Sequence, residues 1–254
     1  FIMLHEMPFA QDGHVTYDLM IERINSDLAN NLGNLVNRTI SMQNKYFGGV
    51  VANPNVSEPI DDELKTFATG TVKKVIDKMD ELRVADAIQD ILDLFSRCNK
   101  YIDETTPWAL AKDSEKIERL ATVLYNLLES VRIAAVLMEP FFPETSKKIL
   151  DDLNTQQRDF ETISEFGKLE TGIHVAEKPE ILFARIDEKA IQSKIDMINE
   201  INAKARKKEI EKKPTVTVED FQKIDLRVGK VLSCERHPDA DKLFVLKVDL
   251  GDGE

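Results

Sequence analysis

Apolar residues recur at helical spacing through the first 150 or so positions of the chain. Ile21, Ile24, Leu28, Leu32 and Leu35 form one stripe between Thr16, suited to an N-cap, and the stop at Gly48-Gly49. That pattern predicts a helix from about Thr16 to Tyr46. After a Pro/Asn-rich loop, Asp61-Asp62-Glu63 places negative charge in the first turn of a second helix carrying Leu64, Phe67, Val72, Val75, Ile76 and Met79. A third helix is predicted from about Arg83 to Ile102, with Val84, Ala87, Ile88, Ile91, Leu92 and Phe95 inward. A fourth runs from about Ser114 to Met138, with Leu120, Val123, Leu124, Leu127, Leu128 and Val131. Pro140 and Pro143 stop it, and a short helix follows to about Leu153. Long amphipathic helices with short connections predict a mainly α fold, an antiparallel helix bundle.

The remainder reads differently. Residues 1–15 are expected to be irregular, with a turn at Asp12-Gly13. Ile173-His174-Val175 and Ile181-Leu182-Phe183 are read as short extended pieces. Residues 188–214 are charged and helix-prone. There Lys204, Arg206, Lys207, Lys208, Lys212 and Lys213 outweigh Glu209 and Glu211, which suits a solvated linker. From Thr215 the period switches to alternation: Ile224, Leu226, Val228, Val231 and Leu232, a polar turn at Arg236-His237-Pro238-Asp239, then Leu243, Val245, Leu246, Val248 and Leu250. About 40 residues supply perhaps three strands, too few for a closed barrel. The predicted layout is therefore a connection over 1–15, a bundle over 16–187, a charged helical linker over 188–214 and the start of a β module over 215–254.

Composition narrows the function classes. The chain has 254 residues, 42% hydrophobic and 31% charged, as in ordinary soluble globular proteins. The longest apolar candidate, Val131 to Met138, is too short to span a membrane. Cys98 and Cys234 are far apart, with no Cys-x-x-Cys pair, so neither a disulfide framework nor a zinc site is supported and a reducing cytoplasm fits. A net charge of −12 argues against generic polyanion or DNA binding, which relies on many Lys/Arg–phosphate contacts.

Candidate chemistry is sparse. Trp108 is the only tryptophan and lies in Thr105-Thr106-Pro107-Trp108-Ala109-Leu110-Ala111-Lys112. Thr106 is suited to cap a helix and Pro107 to open it, which puts Trp108 in a first turn at a bundle rim. An exposed indole there is a platform for an unstacked base, or simply a core-edge tryptophan. On the first helix, with Leu28 as zero, the apolar stripe spans roughly ±40°. Asp27, Asn31, Asn34 and Arg38 gather at roughly 60–120° to one side. Asn34 and Arg38, four apart, are neighbours. An amide beside a rigid guanidinium fork can read a base edge, and the plain alternative is a solvated helix flank. The four histidines are scattered, there is no Gly-rich phosphate loop, and the carboxylates are read as solvated helix faces. No self-contained enzyme site is expected.

Several ordered segments carry a resemblance. They are Glu6-Met7-Pro8-Phe9-Ala10-Gln11-Asp12-Gly13, the run from Asn25 to Arg38, Pro107-Trp108-Ala109-Leu110-Ala111-Lys112, Glu139-Pro140-Phe141-Phe142-Pro143, Lys178 to Ile186, and Phe221 to Val231 with His237 to Leu243. Together they closely resemble bacterial methionyl-tRNA synthetases, from just after the catalytic domain into an appended tRNA-binding module of oligonucleotide-binding fold. The resemblance implies that Asn34 and Arg38 hydrogen-bond the wobble cytosine of a CAU anticodon and that Trp108 stacks on it. It implies Arg227, Lys230 and Lys242 as further tRNA contacts, with tRNA(Met) as partner and homodimerisation through the tail module. It also implies that ATP with magnesium, and zinc as a further candidate, belong to a catalytic domain absent from these residues, so that this piece is inactive alone. The competing readings are the anticodon domain of a related class I synthetase and a non-catalytic tRNA-binding accessory protein.

Overall fold

The computed structural model describes residues 1–7, 14–209, 217–238 and 242–251. They fall into two compact units, Phe1–Asp196 and Met197–Glu254. The first is helical: α1 (Ile2–Glu6), α2 (Tyr17–Arg23), a π-helical segment Ile24–Gly33, α3 (Asn34–Phe47), α4 (Pro59–Asp80), α5 (Val84–Thr105), α6 (Pro107–Leu110), α7 (Ile117–Met138) and α8 (Pro143–Asp152). A further helix, α9 (Glu188–Glu209), runs across the boundary between the units. The expected irregular start is corrected: Ile2–Glu6 forms a helical turn packed on α5, with His5 Nε2 3.1 Å from Gln89 Oε1. The turn expected at Asp12-Gly13 lies outside the described residues.

Three elements form the centre of the core. Helices α4 and α5 pack as an antiparallel pair, and α7 packs against both. Every residue from Arg119 to Met138 is buried, so α7 is apolar on all sides because it is surrounded on all sides. The stretch Ser114–Met138 is in fact long and apolar enough to cross a membrane, contrary to the sequence reading, but the whole of its apolar window lies inside the bundle. It is the central helix of a core, and its hydropathy records burial against protein.

Two charged pairs lie inside this core, which corrects the expectation that the carboxylates are all solvated. Asp61, 0% exposed, takes two hydrogen bonds from Arg119, at 2.6 and 2.8 Å, and one from the Tyr101 hydroxyl at 2.6 Å. The Glu58 backbone N–H adds a fourth, closing a capping box at the start of α4. Burial pushes the Asp61 carboxyl up, but the bonds from Arg119, Tyr101 and Glu58 outweigh it and hold it below the usual aspartate range. On α7, Glu129 accepts from the backbone N–H groups of Gly167, Lys168 and Leu169 at 2.8, 2.9 and 3.0 Å. Its partner Arg132 donates to the carbonyls of Gln157 and Thr162 at 2.9 and 3.1 Å. The irregular segment after α8 is thus fastened to the core helix by one buried carboxylate and one buried guanidinium. Buried Cys98 is an inert part of this core; desolvation pushes its thiol up to about 12.

The long first helix departs most from expectation. It is continuous from Tyr17 to Phe47, but its middle ten residues are π-helical. A wider turn shifts the angular phase of side chains, so the single 100° wheel does not hold across it. Asn31 accordingly leaves the proposed polar flank for the seam with α5. Its amide donates to Leu92 O and Ser96 Oγ, both at 3.0 Å, and Asn99 Nδ2 donates back to Asn31 Oδ1 at 3.0 Å. Asp27 likewise turns toward Arg23, 3.5 Å away. A Cβ at Gly33 would sit 3.1 Å from the Leu28 carbonyl oxygen, so the end of the π segment suits a residue with no side chain. Gly48, at φ 60°, ends α3 as the sequence suggests.

Of the two proposed extended pieces, Val50 and His174 form an isolated antiparallel bridge, while Ile181-Leu182-Phe183 is irregular. In the second unit, β1 (Lys230–Arg236) pairs antiparallel with β2 (Phe244–Asp249), with an irregularity between Val231 and Ser233, and a short helix α10 (Val218–Gln222) precedes them. The expected strand over Ile224–Val228 does not form among the described residues.

Candidate nucleic-acid interface

Trp108 is placed by a sharp corner. Helix α5 ends at Thr105, and Thr106 takes left-handed backbone angles, φ 44° and ψ 62°. A β-branched residue is strained there, the more so ahead of proline. Thr106 makes no side-chain cap, which corrects the capping role inferred for it; its carbonyl instead accepts from Ala109 N at 2.8 Å. Pro107 is buried at the first position of α6, and Leu110 and Ala111 pack against the core. The chain is thereby turned so that Trp108 remains 41% exposed. That is unusual for an indole with a core within reach.

Helix α3 carries the other two residues and brings Arg38 to the Trp108 ring. Asn34 opens it and is exposed; Arg38 follows one turn later, its side chain 36% exposed. The Arg38 guanidinium carbon lies 5.3 Å from the centroid of the Trp108 ring, within cation–π range. Its Nη2 is 3.9 Å from Asp103 Oδ1 on the last turn of α5. Residues 70 positions apart in sequence thus share one small surface.

Beside it runs a groove of about 260 Å3 whose lining includes Asn30, Asn34, Asn37, Ile181, Phe183 and Arg185. Its far wall is tied to the first helix by Asn25, whose amide donates to Ile186 O at 3.0 Å and accepts from Ile186 N at 2.7 Å. Asn30, Asn37 and Arg185 were missed in the sequence reading. The available signal was the row of amides at 30, 34 and 37, whose i, i+4, i+7 spacing already places them on one helix face. Larger hollows lie elsewhere. One of about 530 Å3 is rimmed by Glu58, Glu63 and Glu104, which repel a polyanion. One of about 730 Å3 lies between α1 and the turn joining α4 to α5.

Arg227, Lys230 and Lys242 are in the second unit and do not cluster. Arg227 Nε donates to Asp225 Oδ2 at 2.8 Å. Lys230 opens β1 opposite Asp249, whereas Lys242 lies in the connection before β2, at the other end of the hairpin. Among the described residues no three His, Cys, Asp or Glu side chains are grouped as a metal site requires.

Residues 53–198 match the family described as the anticodon binding domain of methionyl tRNA ligase. The chain belongs to the methionyl-tRNA ligase family. Residues 1–40, which hold Asn34 and Arg38, match the class I tRNA synthetases of the methionine type, and residues 226–254 match a putative tRNA binding domain. The methionine–tRNA ligase of Clostridium perfringens is 47% identical over all of this chain, which covers 40% of that protein. The Clostridium tetani enzyme is 48% identical, with 39% of its length covered. The chain thus spans about two fifths of the methionyl-tRNA ligases it matches. Among solved structures, the free Mycobacterium tuberculosis methionyl-tRNA synthetase superposes with a TM-score of 0.69 at 36% identity, over 73% of this chain and 38% of that one. The same enzyme bound to methionyl-adenylate gives 0.68. The helix bundle inferred from periodicity is therefore the architecture of the methionyl-tRNA ligase anticodon domain.

Proposed function

We propose that the helical unit selects tRNA(Met) by its anticodon on behalf of a methionine–tRNA ligase. The observation that carries this reading is the exposed Trp108 ring within 5.3 Å of the Arg38 guanidinium, one helical turn from Asn34. Trp108 supplies the stacking surface for the wobble cytosine of CAU, and Asn34 and Arg38 supply edge contacts. The groove beside them, with its amides and Arg185, holds the adjoining part of the loop. The net charge of −12 is compatible with this, because a few splayed bases are read by stacking and hydrogen bonds more than by a broad basic surface.

In this reading the whole protein joins methionine to tRNA using ATP. ATP with magnesium, and any zinc, would be held by the part of the relatives that this chain does not cover. Residues 215–254 add tRNA affinity through Arg227, Lys230 and Lys242 and belong to the module through which the protein dimerises. The cytoplasm is its place of work. The test is binding of anticodon stem-loops that differ only at the wobble base: cytosine should bind more tightly than uracil, adenine or guanine. Equal affinities for all four overturn the reading.

A further inference from the structure

We propose that the Asn31–Asn99 amide pair holds the first helix in its π register and thereby sets the angular position of Asn34 and Arg38. Both amides are then positioning residues, and the inference rests on the base-reading role proposed for the site. The π segment Ile24–Gly33 runs directly into α3, and the Asn34 N–H still bonds five residues back, to Ala29 O. Side chains on an α-helix advance by about 100° per residue, so a slip of one residue in the π turns rotates the start of α3 by that amount. Such a rotation takes the Arg38 guanidinium off the Trp108 ring, whose centroid is now 5.3 Å from its carbon. The α bonding pattern is preferred over the π pattern, so a π stretch of 10 residues is kept by contacts from outside the helix.

Asn31 supplies such contacts. Its amide donates to Leu92 O and Ser96 Oγ, both at 3.0 Å, and so grips two successive turns of α5. Asn99, on the next turn, donates to the Asn31 side-chain oxygen and to the Asn31 backbone carbonyl, each at 3.0 Å. The second of these bonds fixes the backbone of the last π turn itself, where the ladder changes from i→i+5 to i→i+4 bonding. Near the other end of the π segment, Asn25 is bound to both backbone groups of Ile186. Asn31 lies three residues before Asn34 and seven before Arg38, and Asn99 lies on the helix that leads into the Trp108 corner. One pair of half-buried amides therefore aligns the helix that carries the guanidinium with the helix that leads to the indole.

The experiment compares the 254-residue chain with Asn31→Ala, Asn99→Ala and the double variant. Without RNA, it follows amide exchange across Ile24–Gly33 and the emission of Trp108, the sole tryptophan. With RNA, it measures binding of CAU and UAU stem-loops. Each single variant should speed exchange in Ile24–Gly33 by about three- to tenfold, the worth of one hydrogen bond, with the α4 and α7 amides little changed. Each should shift the Trp108 emission and lower the preference for cytosine over uracil by a similar factor. The double variant should fall short of the product of the two singles, because both remove a shared contact. The emission shift should vanish in an Arg38→Met background, since it reports the guanidinium leaving the ring. Ser96→Ala removes a single acceptor at an exposed position and serves if Asn31→Ala does not fold; it should move the same readouts in the same direction. The proposal is overturned if folded variants lose stability in urea with emission and discrimination unchanged, or if exchange rises equally throughout the bundle. If the wild-type chain binds all stem-loops equally, the base-reading role has failed, whereas exchange and emission still decide whether the amide pair holds the π register.

Discussion

Arg119 meets Asp61 through two hydrogen bonds of 2.6 and 2.8 Å deep between α4 and α7. With Tyr101 donating to the same carboxylate, three helices converge on one buried charge. Replacing one partner leaves the other charged and unpaired, a loss of about 3–5 kcal/mol. Asp61→Asn should therefore lower unfolding stability in urea by that order at pH 7. The sign with pH follows from the carboxyl being held below its ordinary value. Its contribution is complete above the unfolded-chain value near ~3.9 and is lost as pH falls through the lower folded value. The gap between wild type and Asp61→Asn should accordingly narrow below about pH 4. A gap that stays constant from pH 7 to pH 3 contradicts the assignment.

Glu129 gives a local version of the same test. Glu129→Gln keeps the shape but loses the negative charge that three backbone N–H groups share. Amide exchange at Gly167, Lys168 and Leu169 should accelerate by at least tenfold, the equivalent of about 1.4 kcal/mol, with the α4–α5 amides little affected. Unchanged protection at these amides would show that packing alone holds the segment.

Trp108→Ala should weaken binding of the CAU stem-loop by about 1–3 kcal/mol, the usual worth of one base–aromatic stack. Circular dichroism should show the helical content unchanged, since the ring is 41% exposed and Pro107 and Leu110 anchor the corner without it. Equal affinities in a folded variant would remove the role.

Asn34→Ala and Arg38→Ala should flatten discrimination at the wobble base more than they lower overall affinity, on the scale of about 1–3 kcal/mol familiar from edge contacts in duplexes. A uniform loss across all four bases would make these residues phosphate or packing contacts.

Limited proteolysis should leave the helical unit and remove the rest. No described residue from 217 to 251 is buried, whereas the first unit holds the hydrophobic core. Early cleavage should fall beyond Asp196, and later trimming should leave a resistant product ending between Asp187 and Asp196. A tail as resistant as the bundle contradicts this.

Where the sequence was legible, it was because one signal dominated. Apolar spacing located α4, α5 and α7 to within a few residues, and the Gly48 stop held because only a left-handed residue ends the helix there. The candidate site residues were visible as types, an amide, a guanidinium and an indole, but the closeness of Arg38 and Trp108 was not, since tertiary packing alone joins them. The failures have physical causes too. Asn31 went astray because a π turn breaks the 3.6-residue period without announcing itself in composition. Asp61 and Glu129 were read as solvated because a carboxylate looks the same in sequence whether water or arginine satisfies it. Thr106 was read as a cap because threonine commonly is one; the strained corner that it forms depends on what Pro107 and Leu110 are packed against.

The fastening of residues 157–169 to α7 has a consequence for how this region can change. Arg132 holds its first part at Gln157 and Thr162, and Glu129 holds its last three N–H groups, yet the two side chains sit one turn apart on a rigid helix. The span between the two grips is therefore set by helical pitch. The segment acts as a clasp of fixed length: residues may be exchanged along it, but adding or deleting one between Thr162 and Gly167 would pull a grip off its partner and leave the buried Glu129–Arg132 pair short of hydrogen bonds. Tolerance to insertion should be higher from Ala52 to Asn55, exposed residues that precede the anchoring contacts of Val56 and Glu58.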